Sequence, residues 1–210
     1  MSREGGTVGE TKVRRVAPQD MEAICEVIGH AFAENPNTLA MVRGDRAKAQ
    51  RMMKGAVRVA KFGRTCSYGL VAEQGDRIVG ALNAAPWPSC QLSAGEKAKS
   101  APAMVRVMGT SLPRAMKVAG VWSKHDPKEP HWHVGPIGVV PELQGQGVGT
   151  ALLSSFLEMS DQDGHFAYLE TDVDRNVPLY EKFGFSVIDQ VDILGVNNRF
   201  MRRDKRPPVD

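Results

Sequence analysis

Val139-Val140-Pro141-Glu142-Leu143-Gln144-Gly145-Gln146-Gly147-Val148-Gly149-Thr150 is the stretch on which the reading of this chain turns. The end of a strand feeds a turn with glycine at three alternate positions. The turn opens a helix whose apolar stripe is Val148, Leu152, Leu153, Phe156 and Leu157. Backbone N–H groups converge at such a junction, and the helix dipole adds partial positive charge there. Glycine lets a phosphate approach the backbone closely. The pattern therefore points to a pyrophosphate site. A Walker loop needs Gly-Lys-Ser/Thr after the turn, which is absent. A dinucleotide fingerprint needs Gly-x-Gly-x-x-Gly spacing near the start of a βαβ unit. A Gly-rich turn that holds no ligand is the plain alternative.

Outward from this turn, His131 to Val140 and Phe166 to Thr171 have strand composition. Asn176 to Phe183 reads as a short helix stopped by Gly184. Phe185 to Ile193 and Asn198 to Arg202 read as two last strands. On the N-terminal side, Lys12 to Val16 alternates as a strand. Met21, Ile24, Val27, Ile28, Ala31 and Phe32 recur at helical spacing, and Asn35-Pro36-Asn37 ends that helix. A second helix is expected over Asp45 to Lys61. Tyr68 to Ala72 and Arg77 to Ala84 form a hairpin across Glu73-Gln74-Gly75-Asp76. The segment Pro86 to Pro130 shows no strand pattern and carries helical pieces at Met104 to Gly109 and Arg114 to Val121. Local strand pairs plus one strand–turn–helix–strand crossover indicate a mixed α/β (α+β) fold. The expected organisation is a disordered lead-in over residues 1–10, a single domain over 11–203 with a helical insert at 86–130, and a flexible tail over 204–210.

Composition sets outer limits. The chain has 210 residues, 42% hydrophobic and 24% charged, which excludes a wholly disordered polypeptide. Lys plus Arg number 27 against 24 Asp plus Glu. The resulting charge of +3 is too mild to make nucleic acid the main partner. Cys25, Cys66 and Cys90 are far apart, fitting a reducing compartment and giving no metal framework. No run approaches the roughly 18 apolar residues of a membrane helix, and the polar start has no apolar signal core. A cytoplasmic location without membrane partners is the expectation.

Two motifs in order carry a resemblance. Gln144-Gly145-Gln146-Gly147-Val148-Gly149 resembles the Arg/Gln-x-x-Gly-x-Gly/Ala signature of the Gcn5-related N-acetyltransferases (GNAT superfamily). Tyr168-Leu169-Glu170-Thr171, followed by Asn176-Val177-Pro178-Leu179-Tyr180-Glu181-Lys182-Phe183-Gly184-Phe185, resembles the second motif of that family. The likeness spans about His131 to Phe185. With His131-Trp132-His133-Val134-Gly135-Pro136 it is similar to the branch containing puromycin N-acetyltransferase. The resemblance implies a mostly antiparallel sheet of about seven strands flanked by helices, with the insert before the fourth strand. It also implies acetyl-CoA as co-substrate, its pyrophosphate on the amides of Gln144 to Thr150, and Asn176 on the CoA arm.

The chemistry asks for a neutral amine, a stabilised oxyanion and a proton for the leaving thiolate. Tyr180 lies one helical turn after Asn176, and a phenol can protonate a developing thiolate. The family's equivalent tyrosine is the usual general acid. Glu170 and His133 are alternative general bases, with ordered water a third possibility. Strand alternation puts Phe166, Tyr168 and Glu170 on one face. It also groups His131, His133, Gly135, Ile137 and Val139, provided Pro136 causes no bulge. A backbone N–H near Ile137 to Val139 is expected to hold the oxyanion. The pantetheine would then run beside Ile137, Val139 and Val140 as an added strand. On the acceptor side, Phe32, Glu34, Trp87, Trp122 and His131 are the candidates. No metal is expected, because His125, His131 and His133 lack a matching Cys or carboxylate pair at ligand spacing. The cysteines lie outside both motifs, so direct transfer is favoured over a covalent relay.

The expected activity is transfer of acetyl to a primary amine of a small molecule. Alternatives are acetylation of a protein lysine or N-terminus, an acyl-CoA sensor without turnover, and a nucleotide-binding module. A monomer or homodimer is expected.

Overall fold

The structure is a computed structural model and describes residues 10–60, 62 and 66–205. The expectations for residues 1–9 and 206–210 lie outside the described residues. The strands are β1 (Lys12–Arg15), β2 (Tyr68–Gln74), β3 (Arg77–Pro86), β4 (His131–Val139), β5 (Phe166–Thr171), β6 (Ser186–Ile193) and β7 (Val196–Arg203). They form one seven-stranded sheet in the order β1-β2-β3-β4-β5-β7-β6. All neighbours run antiparallel except β4 and β5, which are joined by the crossover helix α6 (Val148–Asp163). Among the described residues, no helix is long and apolar enough to cross a membrane.

Alternation along the strands sorts the core into two layers. Leu70, Ala72, Leu82 and Ala84 pack with Val148, Leu152, Leu153 and Phe156 of α6 on one face. Val71 and Ala81 face the other way, against Ile24, Cys25 and Ile28 of α1 (Met21–Ala31) and Val57 of α3 (Arg46–Ala60). Gly138 of β4 is small for a reason. A Cβ there would lie 2.7 Å from Ile28 Cδ1, so the glycine lets α1 lie close on the sheet.

Asn35-Pro36-Asn37 ends one helix and begins another, α2 (Pro36–Val42), which the sequence reading lacked. The Asn35 side chain accepts from the Thr38 N–H at 2.9 Å, and Pro36 takes the first helical position, where no donor is needed. The same residues that signal a stop are thus also a start.

The insert carries two full helices, α4 (Ala94–Met108) and α5 (Leu112–His125), longer than the helical pieces read from the sequence. Ser93 and Glu96 form a reciprocal cap at the start of α4, with the Glu96 carboxylate accepting from the Ser93 N–H at 2.9 Å. α5 lies over the far half of the sheet. Val121 and Trp122 pack on Phe166, Tyr168 and Phe200, and His125 stacks on Phe200 with ring centroids 4.1 Å apart. The last helix, α7 (Val177–Lys182), follows β5.

Candidate functional site

β4 and β5 pair only where His131, Trp132 and His133 lie opposite Phe166, Ala167 and Tyr168. Beyond that point the strands part. On its other edge β4 stays paired to β3, but with a shift. Leu82 faces Ile137 and Ala84 faces Val134, so the β4 segment between holds an extra residue. This bulge corrects the expected face. Ile137 and Val139 pack with Val134 on the α6 side, while His131 and His133 stay on the α5 side. The expected grouping held only if Pro136 caused no bulge, and with the bulge a one-residue slip sends every later side chain to the opposite face.

The backbone at the parting is equally defined. The Val140 N–H donates to Val79 O at 2.9 Å, toward β3. Alternation turns the Val139 and Ile137 N–H groups the other way, into the gap left by β5. The Val139 carbonyl on that side accepts from Gln144 Nε2 at 3.1 Å.

The turn that follows has the predicted form. Gly145 (φ +77°) and Gly147 (φ +88°) occupy left-handed backbone that L side chains rarely adopt, and Gly147 caps α6. The first N–H groups of α6, from Val148 on, have no partner within the helix and point toward its open end. Arg175, which sequence reading did not single out, donates to Gln144 Oε1 at 3.0 Å. It ties the glycine turn to the loop that leads into α7.

A cavity of about 610 Å³ opens at the parting. Tyr180 lines it from α7, Asn176 from the turn just before that helix, and Val134 to Ile137 from β4. Phe32 and Trp122, both expected on the acceptor side, line it. Methionines from α2, α3 and α4 and apolar residues of α5 complete the wall. Its acidic side chains are Glu170 and Asp172. Tyr180 is buried, and burial, with the Asp172 carboxylate nearby, pushes its phenol up to about 12. It therefore keeps its proton at neutral pH. Asp172 also accepts from Asn35 Nδ2 at 2.8 Å and from the Asn37 N–H at 2.6 Å, holding the start of α2 against the end of β5. No short-range pattern linked positions so distant.

Three expected acceptor residues lie elsewhere. Glu34 is exposed and pairs with Arg46 at 3.0 Å, because it follows the last turn of α1 on the outer side. Trp87 is exposed beyond the end of β3, outside the cavity wall. His131 is buried behind the wall, stacked on Phe166.

The two histidines belong to a polar cluster. His133 reaches Glu170 Oε2 through Nε2 at 3.0 Å and Asp126 Oδ1 through Nδ1 at 2.7 Å. His131 Nε2 lies 3.4 Å from Asp126 Oδ1, and its Nδ1 is 2.8 Å from Glu129 O. Gln91 donates to Asp126 Oδ2 at 2.7 Å, and Cys90 Sγ lies 3.8 Å from that oxygen. Burial would lower His133, but the Glu170 and Asp126 carboxylates outweigh it and hold it well above its ordinary value. Burial likewise works against His131, yet Asp126 and Cys90 push it up to about 9. Asp126 is held well below the usual range despite burial, by His131, His133 and Gln91. Burial opposes ionisation of Cys90 too, but His131 and His133 draw the thiol below its ordinary value. Burial and the Glu170 and Asp126 carboxylates raise Tyr168. The second Glu170 oxygen, Oε1, is buried without a hydrogen-bond partner.

Comparison with known proteins fits this geometry. The pattern of the acetyltransferase (GNAT) family matches residues 44–185. A curated relative, mycothiol acetyltransferase from Paenarthrobacter aurescens, is 39% identical over 71 residues, which is 30% of this chain and 22% of that protein. The chain thus matches only about a fifth of that relative's length, 22%. Among solved structures, a histone acetyltransferase and related acetyltransferase from Corynebacterium glutamicum superposes with a TM-score of 0.65 at 20% identity, covering 95% of this chain and 99% of that one. A polyamine N-acetyltransferase from Drosophila melanogaster gives 0.62 at 16% identity, covering 92% and 98%. A GNAT-family acetyltransferase from Brucella melitensis, in complex with acetyl-CoA, gives 0.53 at 19% identity, covering 96% and 92%. At these identities the structural likeness is one of fold.

Proposed function

The chain belongs to the GNAT acetyltransferase family, and on that premise we propose that it moves acetyl from acetyl-CoA directly to the primary amine of a small molecule with an apolar body. The observation that carries this reading is the meeting of Tyr180 and Glu170 on the wall of one apolar cavity, at the point where β4 and β5 part.

In this reading the CoA pyrophosphate sits on the amides of Gly145 to Thr150 at the start of α6. The pantetheine pairs with the Ile137 and Val139 backbone in the gap, as an added strand would. One of those N–H groups also holds the tetrahedral oxyanion. The amine nitrogen attacks the thioester carbon, and its proton passes to Glu170, whose Oε1 has no partner within the protein. Collapse of the intermediate breaks the C–S bond, and Tyr180 gives its proton to the leaving thiolate. A phenol at about 12 is reliably protonated for that task at neutral pH. His133 acts by holding Glu170 Oε2, so it is a positioning residue in this scheme. Asn176, at the start of α7, faces the CoA arm from the cavity wall.

The acceptor class follows from the wall. Glu170 and Asp172 suit one ammonium head, and the surrounding methionines and Trp122 suit an apolar body. The Drosophila structure belongs to an enzyme for polyamines. The cavity here is lined by two carboxylates only two residues apart, Glu170 and Asp172, which favours monoamines over polycations.

The test is a thiol-release assay over alkyl and aromatic monoamines, polyamines and a lysine peptide, with acetyl-CoA binding measured by calorimetry. Tyr180→Phe should lower kcat by roughly 10²- to 10⁴-fold while leaving the acetyl-CoA Kd within about twofold. An unchanged kcat at every pH would remove Tyr180 from the acid role. Binding of acetyl-CoA without turnover of any amine would replace the enzyme by a sensor.

A further inference from the structure

Cys90, Asp126, His131 and His133 each bring one metal-binding atom to a common point, and these atoms all lie within 4.8 Å of one another. The cluster is needed by none of the transfer steps except through the hold of His133 on Glu170. We propose that Cys90, Asp126, His131 and His133 form a zinc site that clamps both ends of the helical insert onto β4.

The ligand chemistry selects the ion. One thiolate, one carboxylate and two imidazoles make a four-coordinate set suited to Zn²⁺, with two negative charges to balance the cation. Bonds of about 2.0 to 2.3 Å at tetrahedral angles put ligand atoms roughly 3.3 to 3.6 Å apart. Here Asp126 Oδ1 and His131 Nε2 are 3.4 Å apart, and Cys90 Sγ is 3.8 Å from Asp126 Oδ2 and 4.0 Å from His131 Nε2. To complete the same figure, His133 Nδ1, at 2.7 Å from Asp126 Oδ1, has to draw back by about half an ångström and Cys90 Sγ has to come in by about as much.

The surroundings supply the independent argument. A metal-bound histidine has its second ring nitrogen donating to a carboxylate or a carbonyl, which fixes the tautomer and aims the free lone pair. Both histidines here have that partner on the side away from the cluster. His133 Nε2 meets Glu170 Oε2 at 3.0 Å, and His131 Nδ1 meets Glu129 O at 2.8 Å. Gln91 steadies the carboxylate ligand by donating to Asp126 Oδ2. The entry path is the cavity itself, since Cys90 and His133 both line it. On binding, the Cys90 thiol gives up its proton and a Zn–S bond forms.

Cys90 lies in the loop after β3 and Asp126 directly after α5, whereas the two histidines sit on β4. The ion would therefore close the insert on itself and fix His133 beside Glu170.

The experiment uses the full chain as purified. Metal content is measured after dialysis, and Co²⁺ is then substituted for optical spectroscopy. The expected result is close to one zinc per chain. The cobalt form should show tetrahedral d–d bands and a thiolate-to-cobalt charge-transfer band. Cys90→Ser should abolish the charge-transfer band and weaken zinc at least tenfold against a competing chelator, with circular dichroism and melting of the metal-free protein unchanged. Cys90→His, which restores a nitrogen ligand, should regain part of the affinity without that band. Absence of zinc and cobalt binding in the wild type overturns the site, as does cobalt binding whose spectrum ignores Cys90→Ser. A different resident metal overturns the choice of zinc. All these readouts are independent of acetyl transfer.

Discussion

The glycine turn and the cavity beside it lie at one parting of strands but are made from different materials. The turn offers backbone N–H groups from one continuous run, Gly145 to Thr150, at the start of α6. The cavity is walled by side chains that begin at Phe32 and end at Tyr180, contributed by five of the seven helices, three strands and the loops between them. A site made of backbone is sensitive to chain geometry and indifferent to most side-chain deletions. A site made of side chains has the opposite weakness.

Tyr180 stands where the two regions meet, and its environment gives the largest expected effect. Its folded pKa is raised by burial, from the ordinary 10 to about 12. The sign follows from proton binding. Below pH 10 both folded and unfolded chains hold the proton, and the full stability is present. Between about 10 and 12 the unfolded chain releases it first, so stability falls by roughly 3 kcal/mol on passing that window. Urea melts from pH 9 to 12 should show wild type losing that much more than Tyr180→Phe. Parallel curves for the two proteins would mean the hydroxyl is solvated, and the junction open.

The turn itself supplies a sharper contrast. Gly147 has φ +88°, and a Cβ there meets nothing within 4 Å, so any penalty is conformational. Gly147→Val should cost about 1–2 kcal/mol of backbone strain. Relief of that strain by the turn would weaken acetyl-CoA roughly 5- to 30-fold. Gly149, by contrast, lies inside α6, and its Cβ would rest 3.8 Å from Val139 Cγ2, on the sheet side. Gly149→Ala should leave the Kd within about twofold and raise the melting temperature slightly, as alanine suits a helix interior. Equal losses in the two variants would show that space, not backbone geometry, governs the turn.

The same difference explains what could be read in advance. The turn, the crossover helix and the Asn176–Tyr180 pair are local patterns, so residue spacing exposes them. The cavity depends on partners far apart in the chain, such as Asp172 with Asn35 and Asn37. Glu34 and Trp87 were placed on the acceptor side by position along the chain, and the outward turn of their segments removed them from it. Pro136 marked the place where a bulge could fall before Ile137, but whether one formed was not legible, for another reason. Alternation has a period of two, and one extra residue reverses it without any change in composition. The Cys90–Asp126–His131–His133 cluster escaped because two of its members lie at opposite ends of the insert, where ligand spacing carries no signal.

Trp122 tests the side-chain region alone. Its indole N–H donates to Asn198 Oδ1 at 2.9 Å, and its ring lines the cavity. Trp122→Ala should raise the KM for an aromatic amine about five- to twelvefold and leave the acetyl-CoA Kd unchanged, since roughly 1–1.5 kcal/mol of apolar contact is removed from one partner only. A matching loss in acetyl-CoA affinity would mean that the two regions share this wall.

Arg175 gives the smallest effect and the finest division. Its guanidinium donates to Gln144 Oε1 at 3.0 Å in an exposed setting, and Gln144 in turn donates to the Val139 carbonyl. An exposed hydrogen bond of this kind contributes well under 1 kcal/mol net. Arg175→Ala should therefore weaken acetyl-CoA by no more than about threefold, with little dependence on salt, because the amides of the turn keep their own geometry. A loss above tenfold that shrinks as ionic strength rises would place a charged side chain on the phosphates themselves. The turn would then be a mixed site, and the division between a backbone-built and a side-chain-built half would move from the strand parting to Arg175.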